Sequence, residues 1–212
     1  MAARTLFVGD VHSCADELRD LVDLARPSRV ILVGDVFNKG PKPEETWALV
    51  KSLRAEAVLG NHDALVIAQP VVKGVRRVPA EALPWLRALP LFIRGKGGPS
   101  GRWVCVHGGL HPKLHSPGTT RKMAINMRRW PDDGSTGNKF WWQLYDGRRL
   151  AIYGHDAVRG LQDHRPRTLG LDSGCVYGGR LSGYLLEDDA VLSVPARGAY
   201  RPTSPPRPGD AP

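Results

Sequence analysis

Three short apolar runs in the first sixty residues set narrow limits on what this chain can fold into. Thr5-Leu6-Phe7-Val8, Val30-Ile31-Leu32-Val33 and Ala57-Val58-Leu59 each lead into a glycine and a polar residue: Gly9-Asp10, Gly34-Asp35 and Gly60-Asn61. Between the first two, Leu18, Leu21, Val22 and Leu24 recur at helical spacing until Pro27. Between the second and third, Trp47, Leu49, Val50 and Leu53 follow a Pro43-Glu44-Glu45 helix opening. The order β-α-β-α-β predicts a parallel sheet with right-handed crossovers.

The pattern continues with a helix around Ala80–Ala88 and strands at Leu91–Ile93 and Trp103–Val106. Further strands are expected at Leu150–Ile152, Thr168–Leu171, Tyr184–Leu186 and Ala190–Val194. Residues 112–148 are irregular, with helix-like stretches at Thr119–Arg129 and Phe140–Tyr145. We expect one domain over residues 1–194. From Pro195 the chain carries six prolines and little apolar content, so 195–212 is expected to be a disordered tail.

Composition narrows the function classes without choosing among them. No apolar run among the 212 residues is long enough for a membrane span, and no leader pattern precedes the first strand. Cys14, Cys105 and Cys175 are too few and scattered for a disulfide framework; buried free thiols in a reducing cytoplasm are expected. A formal charge of +9 and a pI of 9.8 suit a polyanionic partner such as a nucleotide, RNA or phosphoprotein. They equally suit a solvated basic surface.

The strand ends are more selective. Asp10 and His12 follow the first run, Asp35 the second, and Asn61, His62 and Asp63 the third. His107 ends Trp103–Val106, and His155 ends Leu150–Tyr153. Ligands of open α/β sheets bind beyond the carboxyl ends of strands, so these five segments can converge. Each Gly-Asp or lone His has an ordinary reading as a turn or a satisfied histidine. Five in order, on strand-like segments, do not. Carboxylate, imidazole and amide oxygen suit Mn²⁺, Fe or Zn²⁺ rather than a thiolate-held structural zinc.

Gly-Asp-x-His, Gly-Asp-x-x-x-x-Gly, Gly-Asn-His-Asp, His-Gly-Gly and Gly-His together resemble the calcineurin-like metallophosphoesterase superfamily. Within it, the chain is similar to the ApaH-like branch of the phosphoprotein phosphatase family, which includes symmetrical diadenosine tetraphosphatases. Leu171-Asp172-Ser173-Gly174-Cys175-Val176-Tyr177-Gly178-Gly179 resembles a signature of that branch. The resemblance implies a mixed α/β fold, a four-layer metallophosphoesterase sandwich of two central mixed β-sheets flanked by helices. It implies two divalent metal ions, Mn²⁺ foremost, with Fe, Zn, Co or Ni as alternatives. Asp10 and His12 would bind the first ion, Asp35 would bridge both, and Asn61, His107 and His155 would bind the second. His62 would donate the proton to the leaving group. Lys39 stands where relatives place a phosphate-binding arginine, Arg128 is a second candidate phosphate contact, and Tyr177 a candidate for the nucleotide pocket. The implied reaction is hydrolysis of diadenosine tetraphosphate to two ADP by a metal-bridging hydroxide.

Three positions depart from the pattern. Ser13 replaces a glycine, and Leu59 replaces an arginine that protein phosphatases carry before Gly-Asn-His. Asn38 stands where Ser/Thr phosphatases place an aspartate paired with the acid histidine. An amide cannot supply that charge. A serine alkoxide needs a strong proton donor to leave and a nucleoside diphosphate does not, so Asn38 favours a phosphoanhydride substrate.

Other readings stay open at this point. They are a protein Ser/Thr/Tyr phosphatase, removal of nucleotide-like caps from RNA 5′ ends, and a nucleic-acid-binding module using Trp130, Trp141, Trp142 and Tyr145 beside the basic segment Arg121–Arg129. Core packing is the simpler role for Trp141-Trp142. Asp63 and Asp156 adjoin candidate ligands and are candidates to orient them. Oligomeric state is not legible.

Overall fold

A computed structural model describes residues 4–72, 75–135 and 137–202. Its strands are β1 (Thr5–Val8), β2 (Arg29–Leu32), β3 (Glu56–Ala57), β4 (Val71–Val72), β5 (Val75–Arg76), β6 (Ile93–Lys96) and β7 (Arg102–Cys105). They continue as β8 (Arg129–Trp130), β9 (Lys139–Phe140), β10 (Leu150–Tyr153), β11 (Gln162–His164), β12 (Thr168–Gly170), β13 (Arg180–Leu185) and β14 (Ala190–Pro195). The α-helices are α1 (Ala15–Ala25), α2 (Pro43–Ser52), α3 (Asn61–Ala68), α4 (Leu83–Arg87), α5 (His115–Gly118), α6 (Arg121–Asn126) and α7 (Trp141–Leu144).

Two five-stranded mixed sheets form the centre, in the orders β14-β13-β1-β2-β3 and β11-β12-β10-β7-β6. β1, β2 and β3 run parallel, as do β7, β10 and β12; β13 joins β1 antiparallel. Side chains alternate along each strand, which explains the unbroken apolar runs. Leu6 and Val8 pack with Leu18 and Leu21 of α1, on the outer side of the first sheet. Phe7, Ile31 and Val33 point the other way, onto Trp103, Cys105 and Ile152 of the second sheet. The Phe7 and Trp103 rings meet edge to face at 4.9 Å. Val104, Ala151 and Tyr153 turn outward to Met127, Trp141 and Tyr145. The layers are therefore helix, sheet, sheet, helix, as expected from the resemblance.

Several sequence expectations need correction. Of the third run only Ala57 lies in the strand Glu56–Ala57; the Val58 N–H still bonds Leu32 O, and the Leu59 N–H turns away to the carbonyl of Pro90. β6 begins at Ile93, and β13 begins at Arg180, four residues before the expected strand. The helix expected over 119–129 ends at Asn126, where Met127 becomes extended (φ −70°, ψ 131°). Residues 112–148 contribute Trp141, Tyr145, Ala124 and Met127 to a buried cluster, so much of this stretch is packed wall. The tail boundary at 195 falls too early. The Ala196 N–H bonds Gly179 O, Arg197 N–H and the Tyr200 hydroxyl both reach Glu17, and Arg201 bonds Lys39 O. The remainder of the expected tail, from residue 203, lies outside the described residues. All three cysteines are buried and free. No helix among the described residues is long and apolar enough to cross a membrane.

Candidate active site

Parallel strands in both sheets end at the same edge, and that edge carries the polar cluster. Asp10 follows β1, Asp35 follows β2, Asn61 opens α3, and His107 and His155 follow β7 and β10. The approach is close enough to explain two glycines. A methyl group on Gly60 would collide with Asp35 Oδ1, and one on Gly154 with Asp10 Oδ1. His12, Asp35 and His155 have φ of 47°, 50° and 74°. Left-handed backbone at non-glycine residues costs about 1–3 kcal/mol each and persists where surrounding packing enforces it.

Hydrogen bonds from the fold fix how the imidazoles face. Nδ1 of His107 lies 2.9 Å from Val33 O, Nδ1 of His12 3.3 Å from Phe37 O, and Nε2 of His155 3.0 Å from Asn126 O. A backbone carbonyl only accepts, so each of these nitrogens carries the ring proton. The other nitrogen of each ring then turns a lone pair inward. His107 Nε2 and His155 Nδ1 converge on Asn61 Oδ1 at 3.0 and 2.9 Å. His12 Nε2 and His107 Nε2 stand 3.6 and 3.4 Å from the two oxygens of Asp35.

Those separations are long for hydrogen bonds. They approach the roughly 3.0–3.4 Å between donors that each sit about 2.1 Å from one ion. His12, Asp35 and His62 bring donor atoms within 4.8 Å of one another, and so do Asp10, Asp35 and His107. Asp35 belongs to both groups. The resemblance paired Asp10 with His12; by proximity, Asp10 sits with His107 and His12 with His62. Converging lone pairs beside two buried carboxylates form a donor set that fits divalent cations.

Electrostatics points the same way. Burial pushes Asp35 up to about 7 and raises Asp10 well above the usual carboxylate range, with Asp172 and Asp35 adding to the Asp10 shift. Burial pulls His107 and His62 down to about 3, and lowers His12 and His155 strongly. The imidazoles are thus neutral near pH 7, the state in which they coordinate metal, and the nearby Lys39 ammonium only partly offsets the cost of burying Asp35 and Asp10.

Around this cluster lies an open cleft of about 660 Å³, lined by His62, Lys39, Arg128, Tyr177, Asp172 and Val158 among others. Lys39 Nζ donates to the Tyr177 hydroxyl at 2.8 Å and lies 3.2 Å from His12 Nε2. Arg128 donates to His155 O at 2.8 Å and pairs with Asp156 at 3.5 Å. Asn38 hydrogen-bonds His62 Nδ1 at 3.0 Å. Every residue singled out in the sequence as a catalytic, substrate-binding or metal candidate is brought to this one place.

The sequence profile of the family described as calcineurin-like phosphoesterase matches residues 3–194. The chain belongs to this family. A calcineurin-like phosphoesterase is a hydrolase, and its family chemistry implies divalent metal ions. The nucleic-acid-binding module without catalysis is thereby set aside. A symmetrical bis(5′-nucleosyl)-tetraphosphatase of Psychromonas ingrahamii is 39% identical over 127 residues, spanning 51% of this chain and 45% of that protein. One from Aromatoleum aromaticum is 30% identical over 267 aligned positions, 89% of this chain and 96% of its own length. That alignment is longer than the 212 residues here, so the Aromatoleum protein carries segments this phosphoesterase lacks. A crystal structure provisionally named as a diadenosine tetraphosphatase superposes with a TM-score of 0.81 at 33% identity, covering 92% of this chain and 94% of that one. A metallophosphoesterase from Sphaerobacter thermophilus shares the fold at TM-score 0.57 and 21% identity.

Two acids have roles the sequence did not resolve. The Asp63 carboxylate accepts N–H groups of Val36, Phe37 and Gly60, tying the Asp35 loop to the start of α3. Asp172 lines the cleft, is pushed up to about 6 by burial, and accepts the Gly174 N–H. It was missed as a site residue, although it follows β12 much as Asp10 follows β1. Trp141 is buried core, and Trp142 is stacked between Phe140 and His164.

Proposed function

We propose that this phosphoesterase hydrolyses phosphoanhydride bonds, with dinucleoside tetraphosphates as substrates cut symmetrically into two nucleoside diphosphates. Asp10, His12, Asp35, Asn61, His107 and His155 would hold two divalent cations, Mn²⁺ foremost, Asp35 being the residue common to both donor groups. When bound, the cations supply Lewis acidity at the phosphoryl oxygens and activate water near neutral pH.

The chain's own groups do the rest. Lys39, steadied by the Tyr177 hydroxyl, and Arg128, steadied by His155 O, bind the phosphate oxygens that remain uncompensated. His62 hydrogen-bonds or protonates the leaving oxygen. A cleft of about 660 Å³ suits a nucleotide-sized ligand. The observation that carries the choice of substrate is the neutral Asn38 amide on His62. Burial and the nearby Lys39 ammonium hold His62 down to about 3, with no carboxylate among the described residues hydrogen-bonded to its ring to raise it. A weak proton reservoir suffices for a diphosphate leaving group and not for an alkoxide. Relatives carrying the symmetrical tetraphosphatase name support the same reading. Three buried free thiols suit a reducing compartment, and we assign the chain to the cytoplasm.

Product analysis of diadenosine tetraphosphate hydrolysis with added Mn²⁺ tests this. ADP as sole nucleotide product is expected. AMP with ATP would overturn symmetrical cleavage, and no nucleotide release would overturn the substrate class.

A further inference from the structure

Behind the cleft, on the outer side of the first sheet, two thiols and a carboxylate meet without an assigned purpose. Cys14, Cys175 and Glu17 bring their donor atoms within 4.8 Å of one another. All three are shut away from solvent, at 1%, 2% and 1% exposure. Glu17 Oε1 accepts the Arg197 N–H at 2.9 Å and the Tyr200 hydroxyl at 2.7 Å. Oε2 of the same carboxylate is buried and has no hydrogen-bond partner among the described residues. A buried carboxylate oxygen left unsatisfied costs stability, and such an atom calls for a partner.

We propose that Cys14, Cys175 and Glu17 form a separate metal site that takes a thiophilic divalent cation of the Zn²⁺ class. Thiolate sulfur selects borderline and soft ions, whereas the carboxylate and imidazoles of the cleft also accept Mn²⁺. Two sulfurs about 2.3 Å from a tetrahedral ion lie roughly 3.8 Å apart, so the observed cluster needs little closure. The position also suits negative ligands, because Cys14 caps the eleven-residue helix α1 and Glu17 lies in its first turn. Three protein donors leave one tetrahedral position for a water. The segment 196–201 covers the carboxylate through Arg197 and Tyr200 and would open the path for entry.

The consequence concerns the cleft walls. Cys14 lies two residues beyond His12, and Cys175 lies between Asp172 and Tyr177, which both line the cleft. An ion held by both sulfurs would clamp the loop after β1 to the loop after β12. The site is independent of the proposed reaction and stands or falls without it.

Co²⁺ titration of the full-length chain, reduced and stripped with chelator, distinguishes the two kinds of site. Only thiolate ligation gives an intense near-ultraviolet charge-transfer band; carboxylate and imidazole ligands do not. The expected result is a band that saturates at one Co²⁺ per chain. It should persist in Asp35→Asn and Cys105→Ser, and fall at least tenfold in Cys175→Ser. Glu17→Gln should weaken Co²⁺ binding at this band by at least tenfold. If Cys175→Ser does not fold by circular dichroism, the wild-type band and its survival in Cys105→Ser decide. Absence of the band in folded wild type, its loss in Cys105→Ser, or its persistence in folded Cys175→Ser would overturn the proposal. A Cys14–Cys175 disulfide that resists reduction in the same preparation would overturn it as well.

Discussion

The Asn38 side chain hydrogen-bonds Nδ1 of His62 at 3.0 Å, filling with a neutral amide the place where an acid would raise the basicity of the ring. Asn38→Asp should supply the missing charge and lift the His62 pKa from its depressed value near 3. We expect turnover of a phosphoserine peptide to rise about tenfold relative to diadenosine tetraphosphate, since one pKa unit is worth about 1.4 kcal/mol. The ratio of the two kcat/KM values checks this; an unchanged ratio would mean that His62 protonation does not set substrate choice.

Lys39 lines the cleft and places its ammonium group between the Tyr177 hydroxyl and His12 Nε2, where a phosphate oxygen can reach it. A charge-assisted hydrogen bond contributes about 1.5–3 kcal/mol. Lys39→Ala should therefore lower kcat/KM for the tetraphosphate by roughly 10- to 150-fold, mostly through KM. Steady-state kinetics decides, and a change below threefold would remove Lys39 from substrate binding.

Gly154 has no room for a side chain, because a methyl group there would strike Asp10 Oδ1 and approach Val33 Cγ2 to 2.7 Å. Gly154→Ala should destabilise the fold by about 1–3 kcal/mol and weaken metal binding together. Gly198→Ala, where no atom of the described residues lies within 4 Å, is the matched control and should do neither. Thermal unfolding and metal stoichiometry of the two variants make the comparison.

Metal binding should depend on pH through the carboxylates and not the histidines. Without metal, burial holds Asp35 at about 7, whereas His107 and His62 lie near 3 and are already neutral. Asp35 and Asp10, whose carboxyl burial also raises, must both lose their protons to bind, so apparent affinity should climb as pH rises from 6 through about 7. The slope is up to about tenfold per pH unit for each proton released. Calorimetric titration in buffers of different ionisation enthalpy measures the protons; pH-independent affinity between 6 and 8 would contradict the assignment.

The legible part of this protein is the part built from parallel strands buried on both faces. Leu6 and Phe7 serve opposite cores, so β1 reads as one apolar run that stops where the chain turns at Asp10. The same physics exposes Asp35, Asn61, His107 and His155 as strand-end residues. Antiparallel pairing leaves no such trace: nothing in the sequence says that Gly183 of β13 sits opposite Val8. Two-residue strands such as Arg129–Trp130 and Lys139–Phe140 are too short to show a period. Segment 196–201 reads as tail because its ties are hydrogen bonds, to Glu17 and Val176 among others, with only Ala196 and Tyr200 packed on the core, too few to show an apolar period. Asp172 escaped for a different reason. Its strand, Thr168–Gly170, is short, and the motif around it drew notice for its glycines and Tyr177.

The most direct measurement is steady-state hydrolysis of diadenosine tetraphosphate and of a phosphoserine peptide, side by side with Mn²⁺, in wild type and Asp35→Asn. The expected result is ADP release far faster than peptide dephosphorylation, falling by at least about 100-fold when the Asp35 charge is removed. Brisk peptide turnover with slow nucleotide cleavage, or activity undiminished in Asp35→Asn, would contradict a phosphoanhydride hydrolase centred on Asp35.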